Sequence, residues 1–124
     1  MAEQAKKTST KSIRQQLFED SDEGKRIKRT LSNGVEIEMC EPTKGQRNRI
    51  INESRTDDEG NFNPFDFIMR IAVECSFVPG KDVKVFNDGD YEKICNLRGA
   101  DWVDELVEIA QEVTNVSRED TVKN

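Results

Sequence analysis

Residues 61–79 of this chain read NFNPFDFIMRIAVECSFVP, and this stretch decides the fold. Most of its residues are apolar, and Asp66, Arg70 and Glu74 are the charged residues within it, each four positions after the last. Residues four apart lie on one face of an α-helix, so the pattern predicts a helix with a single charged stripe and an otherwise apolar circumference. Such a helix must be covered by other elements, and we expect it to be the central core helix.

Local signals predict where this helix begins and ends. Asn63 is a favoured N-cap residue, and Pro64 would stand at the first helical position, where its missing N–H costs nothing. Pro79 and Gly80 are expected to stop the run. With fewer than about 18 continuous apolar residues, the segment is too short and too charged to span a bilayer.

Residues 26–41 carry the clearest β signal. Val35, Ile37 and Met39 alternate with polar residues, and Asn33-Gly34 suits a tight hairpin turn. The pattern predicts a hairpin whose apolar face, formed by these three side chains, lies against a helix. The hairpin could be a plain surface ribbon or an edge strand that a partner extends.

Four further segments have helical patterns: residues 12–18, 43–54, 88–97 and 101–116. Thr43 and Gln46 match a capping box, and Asp88 or Asp90 is a candidate cap for the third segment. The last segment is amphipathic, with an apolar stripe opposite an acidic face; the stripe comprises Trp102, Leu106, Ile109, Val113 and Val116.

The patterns together predict an α+β, mainly α fold: a small bundle of about four helices with an N-terminal β-hairpin and disordered termini. We expect a flexible basic head over residues 1–24, a single domain over residues 25–116 and a flexible tail over residues 117–124.

Charge is unevenly distributed along the chain. Residues 1–30 have eight Lys and Arg against five Asp and Glu, whereas residues 57–124 have seven against sixteen. An acidic body of this kind repels nucleic acid and anionic membranes. The chain does not open with the apolar segment of a signal peptide, and we expect a cytoplasmic location.

The residue types needed for common catalytic sites are missing. The chain has no histidine, which removes imidazole bases, His-dependent nucleophiles and most zinc sites. A calcium loop at residues 57–61 is rejected because Phe62 stands where glycine is needed. No phosphate-binding glycine loop occurs. We therefore expect no catalytic residue, no metal and no cofactor, and we expect Cys40, Cys75 and Cys95 to be free, mostly buried thiols.

The order of elements resembles that of the tail assembly chaperones of long-tailed bacteriophages and prophages of Gram-positive hosts. The resemblance rests on a basic head, the run EPTKGQRNRIINES, the compact helix FDFIMRIAVECSFVPGKD, and the acidic helices VFNDGDYEKICNL and WVDELVEIAQEVTNVSRE. It implies a protein that binds the helical tape measure protein, keeps it soluble during tail tube assembly in the host cytoplasm, and is absent from the mature virion.

A protein of this kind would bind its partner through apolar helix faces. The candidate contacts are Phe62, Met69, Trp102, Leu106 and Ile109. The tape measure protein is the expected partner, the tail tube protein and a second copy of the chain are further candidates, and nucleic acid and membranes are not expected.

Two functions of other classes stay open. A small regulator could bind nucleic acid through a set of basic side chains, namely Lys25, Arg26, Lys28, Arg29, Arg47 and Arg49. Alternatively, an acidic inhibitor or antitoxin could mimic nucleic acid with the carboxylates of residues 101–112.

Overall fold

A computed structural model describes residues 11–21, 23–54, 56 and 58–114. Within these ranges the chain forms five helices and three strands, in the order α1 Ile13–Glu19, β1 Arg26–Thr30, β2 Glu36–Cys40, α2 Lys44–Glu53, α3 Pro64–Glu74, β3 Ser76–Phe77, α4 Asp90–Cys95 and α5 Asp101–Thr114. The predicted α+β, mainly α class with an N-terminal hairpin is confirmed. The flexibility predicted for residues 1–10 and 117–124, and the predicted place of Val116 in the last helix, lie outside the described residues.

The three strands form an antiparallel sheet with β2 in the centre. In the hairpin, Ile27 lies opposite Met39, and the turn is closed where the Leu31 N–H donates to the Val35 carbonyl at 2.8 Å. Gly34 in this turn has a φ of 88°, a backbone conformation that residues with a Cβ atom rarely adopt. The predicted hairpin is therefore confirmed.

The predicted apolar face of the hairpin is only partly correct. Ile37 and Met39 are buried, but Val35 precedes β2 and is 51% exposed. Glu38, which strict alternation would place in solvent, is buried and accepts a hydrogen bond from the Gly80 N–H at 3.0 Å. The loop after β3 thus covers part of the face that the sequence pattern assigns to solvent.

Helix α3 begins where its sequence predicts. The Asn63 side chain accepts hydrogen bonds from the first-turn backbone, and Pro64 is the first helical residue. The helix ends at Glu74, earlier than Pro79, because the chain then turns to pair with β2. Ser76 assists this turn, since its hydroxyl donates to the Ala72 carbonyl at 2.6 Å. The third strand was not foreseen.

Two other helix starts test the predicted caps. At α2 the capping box of Thr43 and Gln46 is present, as expected. At α4 neither Asp88 nor Asp90 is the cap: Gly89 takes that place with a φ of 91°. The Asp90 carboxylate instead accepts a hydrogen bond from the Asn87 N–H at 2.8 Å.

The core lies between one face of the sheet and the pair α3 and α5, with one residue supplied by α2. Its side chains come from every layer, and they are Leu31, Ile37, Met39, Ile50, Phe67, Ile68, Ile71, Ala72, Cys75, Leu106, Ile109, Ala110 and Val113. All three cysteines of the chain are free thiols; Cys75 is buried and Cys40 is half-buried, whereas Cys95 lies exposed on α4, which corrects the expectation that Cys95 would be buried. Among the described helices, none is long and apolar enough to cross a membrane.

Candidate partner-binding surface

The N-terminal end of α3 carries apolar side chains that the core does not take up. Phe62 and Phe65 are 44% and 45% exposed, and Met69 is half-buried. Phe65 and Met69 are four residues apart, so they lie on one face of the helix. Phe62 precedes the helix, and its ring lies against that of Phe67. We call these three residues the α3 surface.

Local sequence explains why these side chains stand at the end of the helix. The Asn63 Oδ1 atom accepts from the Phe65 and Asp66 N–H groups at 3.0 and 3.3 Å, which places Phe65 in the first turn. Phe62 is paired with Thr56 in an isolated β-bridge, and its ring centroid lies 5.7 Å from that of Phe67. The backbone pairing and the ring contact hold Phe62 in a defined position while leaving much of it exposed.

A polar cluster lies beside the core on α3 and joins that helix to α4. Arg70 Nε donates to Asp66 Oδ2 at 2.8 Å, and the Tyr91 hydroxyl donates to the other carboxylate oxygen. The Arg70 guanidinium also lies over the Tyr91 ring, 4.2 Å from its centroid. Burial, together with the hydrogen bond to Asp66, raises the pKa of Tyr91 above its ordinary value, so the hydroxyl stays protonated. The cluster fixes α4 against the central helix.

The predicted charged stripe of α3 is present only in part. Asp66 and Arg70 form the expected pair, whereas Glu74 forms ion pairs with Arg49 of α2 and, at 4.0 Å, with Lys84. The stripe therefore connects α3 to three neighbours and is not a solvated face.

The predicted contacts on α5 are corrected by the structure. Leu106 and Ile109 are each 2% exposed and belong to the core, because α5 turns its apolar stripe onto α3 and the sheet. Trp102 is half-buried, packed against the core and stacked on Phe86 with ring centroids 6.1 Å apart. Leu106 and Ile109 therefore belong to the core and are not left on a surface with Phe62 and Met69, whereas Trp102 packs against the core and stays partly exposed.

Sequence analysis missed two sets of exposed apolar residues. The pattern of residues 61–79 places Phe65 on the central core helix, although its i,i+4 spacing from Met69 indicates a shared face. The second set is the α1 stripe, Ile13, Leu17 and Phe18, each at least 66% exposed on a helix with no buried residue. The i,i+4 spacing of Ile13 and Leu17 predicted that helix, but nothing in the pattern indicated that its apolar side would stay uncovered.

The acidic face of α5 is partly used inside the molecule. The Glu105 carboxylate accepts from the Ser32 N–H at 2.8 Å and from the Ser32 hydroxyl at 2.6 Å. Glu112 forms an ion pair with Arg29 of β1 at 3.0 Å. Two of the carboxylates required by a nucleic-acid mimic thus hold the hairpin to α5.

Several basic side chains of the proposed nucleic-acid site also have partners within the fold. Arg26 lies 3.8 Å from Glu38 and 3.9 Å from Asp82, and Arg49 pairs with Glu53 at 3.1 Å and with Glu74. The Arg47 guanidinium lies 5.7 Å from the centroid of the Phe67 ring. The ion pairs of Arg26 and Arg49 lower the positive charge that the set would present to phosphates.

A cleft of about 250 Å³ opens between α2, the C-terminal half of α3 and the start of α4. Its charged lining is balanced, with Arg49, Arg70 and Lys84 facing Glu53, Glu74 and Asp88. Because Arg49 and Lys84 pair with Glu74, and Arg70 pairs with Asp66, the cleft offers no concentrated charge to an ionic ligand. In the part of the chain that the structure describes, no group of three or more Cys, Asp or Glu residues is placed to hold a metal ion.

Comparisons of the chain with protein-family models, curated protein sequences and solved structures return no match.

Proposed function

We propose that this protein is a non-catalytic tail assembly chaperone that binds and solubilises the helical tape measure protein during tail tube assembly. It would act in the cytoplasm of the bacterial host and be absent from the mature virion. The proposal combines the resemblance in element order with the apolar side chains that the folded chain leaves exposed.

The observation that carries the proposal is the exposure of Phe65 in the first turn of α3 and of Phe62 two residues before that helix. A large aromatic side chain contributes strongly to binding when a partner removes it from water, and rings held in place lose little freedom on binding. Met69 extends this surface along the helix axis, and its unbranched side chain adapts to irregular partner surfaces.

The form of the α3 surface favours a helical partner. Phe65 and Met69 present anchors one turn apart, the spacing at which two helices pack against each other. The α1 stripe supplies a second apolar face with the same spacing between Ile13 and Leu17. A tape measure protein is a long helical chain with apolar stripes, so both faces could take successive turns of it.

The test is co-expression with the long tape measure reading frame that neighbours such genes. We expect the wild-type protein to keep that partner soluble and to co-purify with it. The double variant Phe62→Gln/Phe65→Gln should lower the amount of co-purified partner at least about tenfold, as expected when two aromatic anchors are lost.

Val35→Gln/Leu97→Gln is the matched control, because Val35 and Leu97 are 51% and 49% exposed and lie outside the α3 surface. This control should bind like wild type. A tape measure protein that stays insoluble beside the wild-type chain would refute the proposal. Equal losses of co-purified partner in the two double variants would show that the α3 surface is not where the partner binds.

The alternatives make different predictions for the same purified protein. Nucleic-acid binding would appear as a gel shift at low salt that weakens steeply as salt is added. An acidic mimic would bind a basic protein and lose that binding in Asp104→Asn/Glu108→Gln, which spares the internal contacts of Glu105. We expect neither result.

A further inference from the structure

Strand β1 stands at one edge of the sheet, next to β2 in the strand order β1-β2-β3. Two hydrogen bonds that flank this strand show which of its backbone groups point toward β2. The Glu41 N–H donates to the Lys25 carbonyl at 2.8 Å, and the Leu31 N–H donates to the Val35 carbonyl at 2.8 Å. The register between these two positions runs without a bulge. Because bonded and non-bonded pairs alternate along an antiparallel ladder, the odd-numbered residues of the strand are the ones that bond to β2.

The same alternation turns the backbone of the even-numbered residues outward. The N–H and C=O groups of Arg26, Lys28 and Thr30 therefore point away from β2, and all three residues are exposed. Among the residues that the structure describes, none forms a hydrogen bond with these groups. An exposed row of such groups is a template on which another extended segment can pair.

The side chains of β1 make this edge basic. Lys28, at the middle of the strand, is exposed and forms no ion pair within the described ranges of the chain. Arg26 lies two residues away and so on the same face of the sheet. Its ion pairs with Glu38 and Asp82 are long, at 3.8 and 3.9 Å, and the Asp82 side chain is almost fully in solvent. Carboxylates that arrive along the edge would thus meet two cations in a row.

We propose that the outer edge of β1 binds an extended acidic segment of a partner protein, which adds to the sheet as a further strand. Exposed cations along an edge discourage pairing with neutral or basic strands and attract an acidic one. A second copy of β1 does not suit this edge, since two such strands paired centre to centre would set Lys28 against Lys28. The inference is independent of the proposed function and uses none of the residues of the α3 surface.

The occupant that fits this edge alternates acidic and apolar residues. Side chains at directly opposite positions of neighbouring strands lie on the same face of a sheet. Carboxylates opposite Arg26 and Lys28 would form ion pairs, and an apolar side chain opposite Ile27 would extend the apolar surface where Ile27 packs against the core. The acidic residues would also be the ones whose N–H and C=O groups bond to β1, because they lie opposite its outward-pointing residues.

The probe is a short fluorescein-labelled peptide of alternating glutamate and valine, titrated with the full chain and followed by fluorescence anisotropy at low salt. Two N-methylated forms of the peptide test the strand pairing. Methylation of the glutamate nitrogens removes the N–H groups that would bond to β1, whereas methylation of the valine nitrogens removes N–H groups that point away from it. We expect the first change to weaken binding at least about tenfold, and the second to leave it within about twofold of the parent peptide.

A charge reversal at the centre of the strand tests the electrostatic part. Lys28→Glu should weaken binding of the parent peptide at least about tenfold, because it sets a carboxylate against the incoming glutamates. Lys93→Glu is the matched control, since it makes the same change at an exposed position of α4, and it should bind like wild type. The methylated peptides test the proposal on the wild-type chain, so the result is decisive even if Lys28→Glu fails to fold.

Four results would overturn the proposal. The first is that the glutamate–valine peptide does not bind, and the second is that a lysine–valine peptide binds equally well. The third is equal binding of the two methylated peptides, which would indicate charge attraction without strand pairing. The fourth is a dimer in sedimentation equilibrium whose formation excludes the peptide, because it would assign the edge to a second copy of the chain.

Discussion

The carboxylate of Asp66 is buried at the side of the central helix, where a charge is costly unless it is paired and hydrogen-bonded. Arg70 and Tyr91 supply those partners, one from the next turn of α3 and one from α4. The Asp66 carboxylate and the Tyr91 phenol thus satisfy each other's hydrogen bonding. We therefore assign the cluster a stabilising role.

Replacing Tyr91 with phenylalanine should lower the free energy of unfolding by about 1–3 kcal/mol, because it removes a hydrogen bond from a buried carboxylate. Urea unfolding followed by circular dichroism measures the change. Lys93→Gln is the control on the same helix, since the Lys93 side chain is largely exposed, and it should change stability little. A Tyr91→Phe protein as stable as the control would show that Asp66 does not need the phenol.

The three thiols should differ in their reaction with iodoacetamide: Cys95 first, Cys40 next and Cys75 last. Burial raises the pKa of Cys40, and it raises that of Cys75 to about 12, so little reactive thiolate exists at either site near neutral pH. The thiolate fraction of Cys75 should rise about tenfold per pH unit between pH 7 and 9. Mass spectrometry of quenched samples measures each rate.

Unfolding in urea supplies the control for these rates, because all three thiols should then react alike. Rapid labelling of Cys75 in the folded protein at pH 7 would contradict its burial.

At the scale of elements, the hairpin is held to α5 by polar contacts at its turn and along its outer strand. Glu105 binds Ser32 in the turn, and Glu112 binds Arg29 of β1. A two-stranded ribbon is marginal by itself, so these contacts, together with β3 and the buried Ile37 and Met39, keep it in place. The acidic face of α5 thereby contributes to the fold as well as to solubility.

Glu105→Ala should lower stability by about 1 kcal/mol, since it leaves two donors of Ser32 without their partner at a partly exposed site. Glu108→Ala is the matched control, because it makes the same replacement one turn later on an exposed position of the same helix. The difference between the two variants in thermal or urea unfolding isolates the contact with Ser32. Equal stabilities would mean that the turn is held by packing alone.

At the scale of the whole molecule, the sheet and the helix pair α3 and α5 share one small core. An apolar side chain that is buried in this core is not available to contact a partner. Leu106 and Ile109 are buried in the core, whereas Phe62 and Phe65 are exposed. This division separates variants that unfold the protein from variants that impair binding only.

Leu106→Ala should therefore cost about 2–5 kcal/mol of unfolding free energy, the usual range for a leucine removed from a packed core. Phe62→Gln should cost far less, because nearly half of that side chain is already in water. Urea titrations of both variants measure the difference. A Leu106→Ala protein with wild-type stability that no longer binds a partner would show that Leu106 is a contact after all.

The sequence by itself determined the features that depend on neighbouring residues along the chain. The start of α3 at Asn63 and Pro64, the capping box at Thr43 and the hairpin turn at Gly34 are local, because each depends on hydrogen bonds or backbone angles within a few residues. The same holds for the α+β class, since it follows from which segments have helical or alternating periodicity. Of the residues in the candidate site, Phe62 and Met69 were predicted from the apolar run around α3.

Only the tertiary structure decided what covers each apolar face. Periodicity shows that Leu106 and Phe65 lie on apolar stripes, but exposure depends on which element packs across them, and that element is distant in sequence. For the same reason the early end of α3, the strand after it and the backbone hydrogen bond from Cys40 to Cys75 were not visible in the chain. They arise from β2, which joins residues that the sequence keeps more than thirty positions apart.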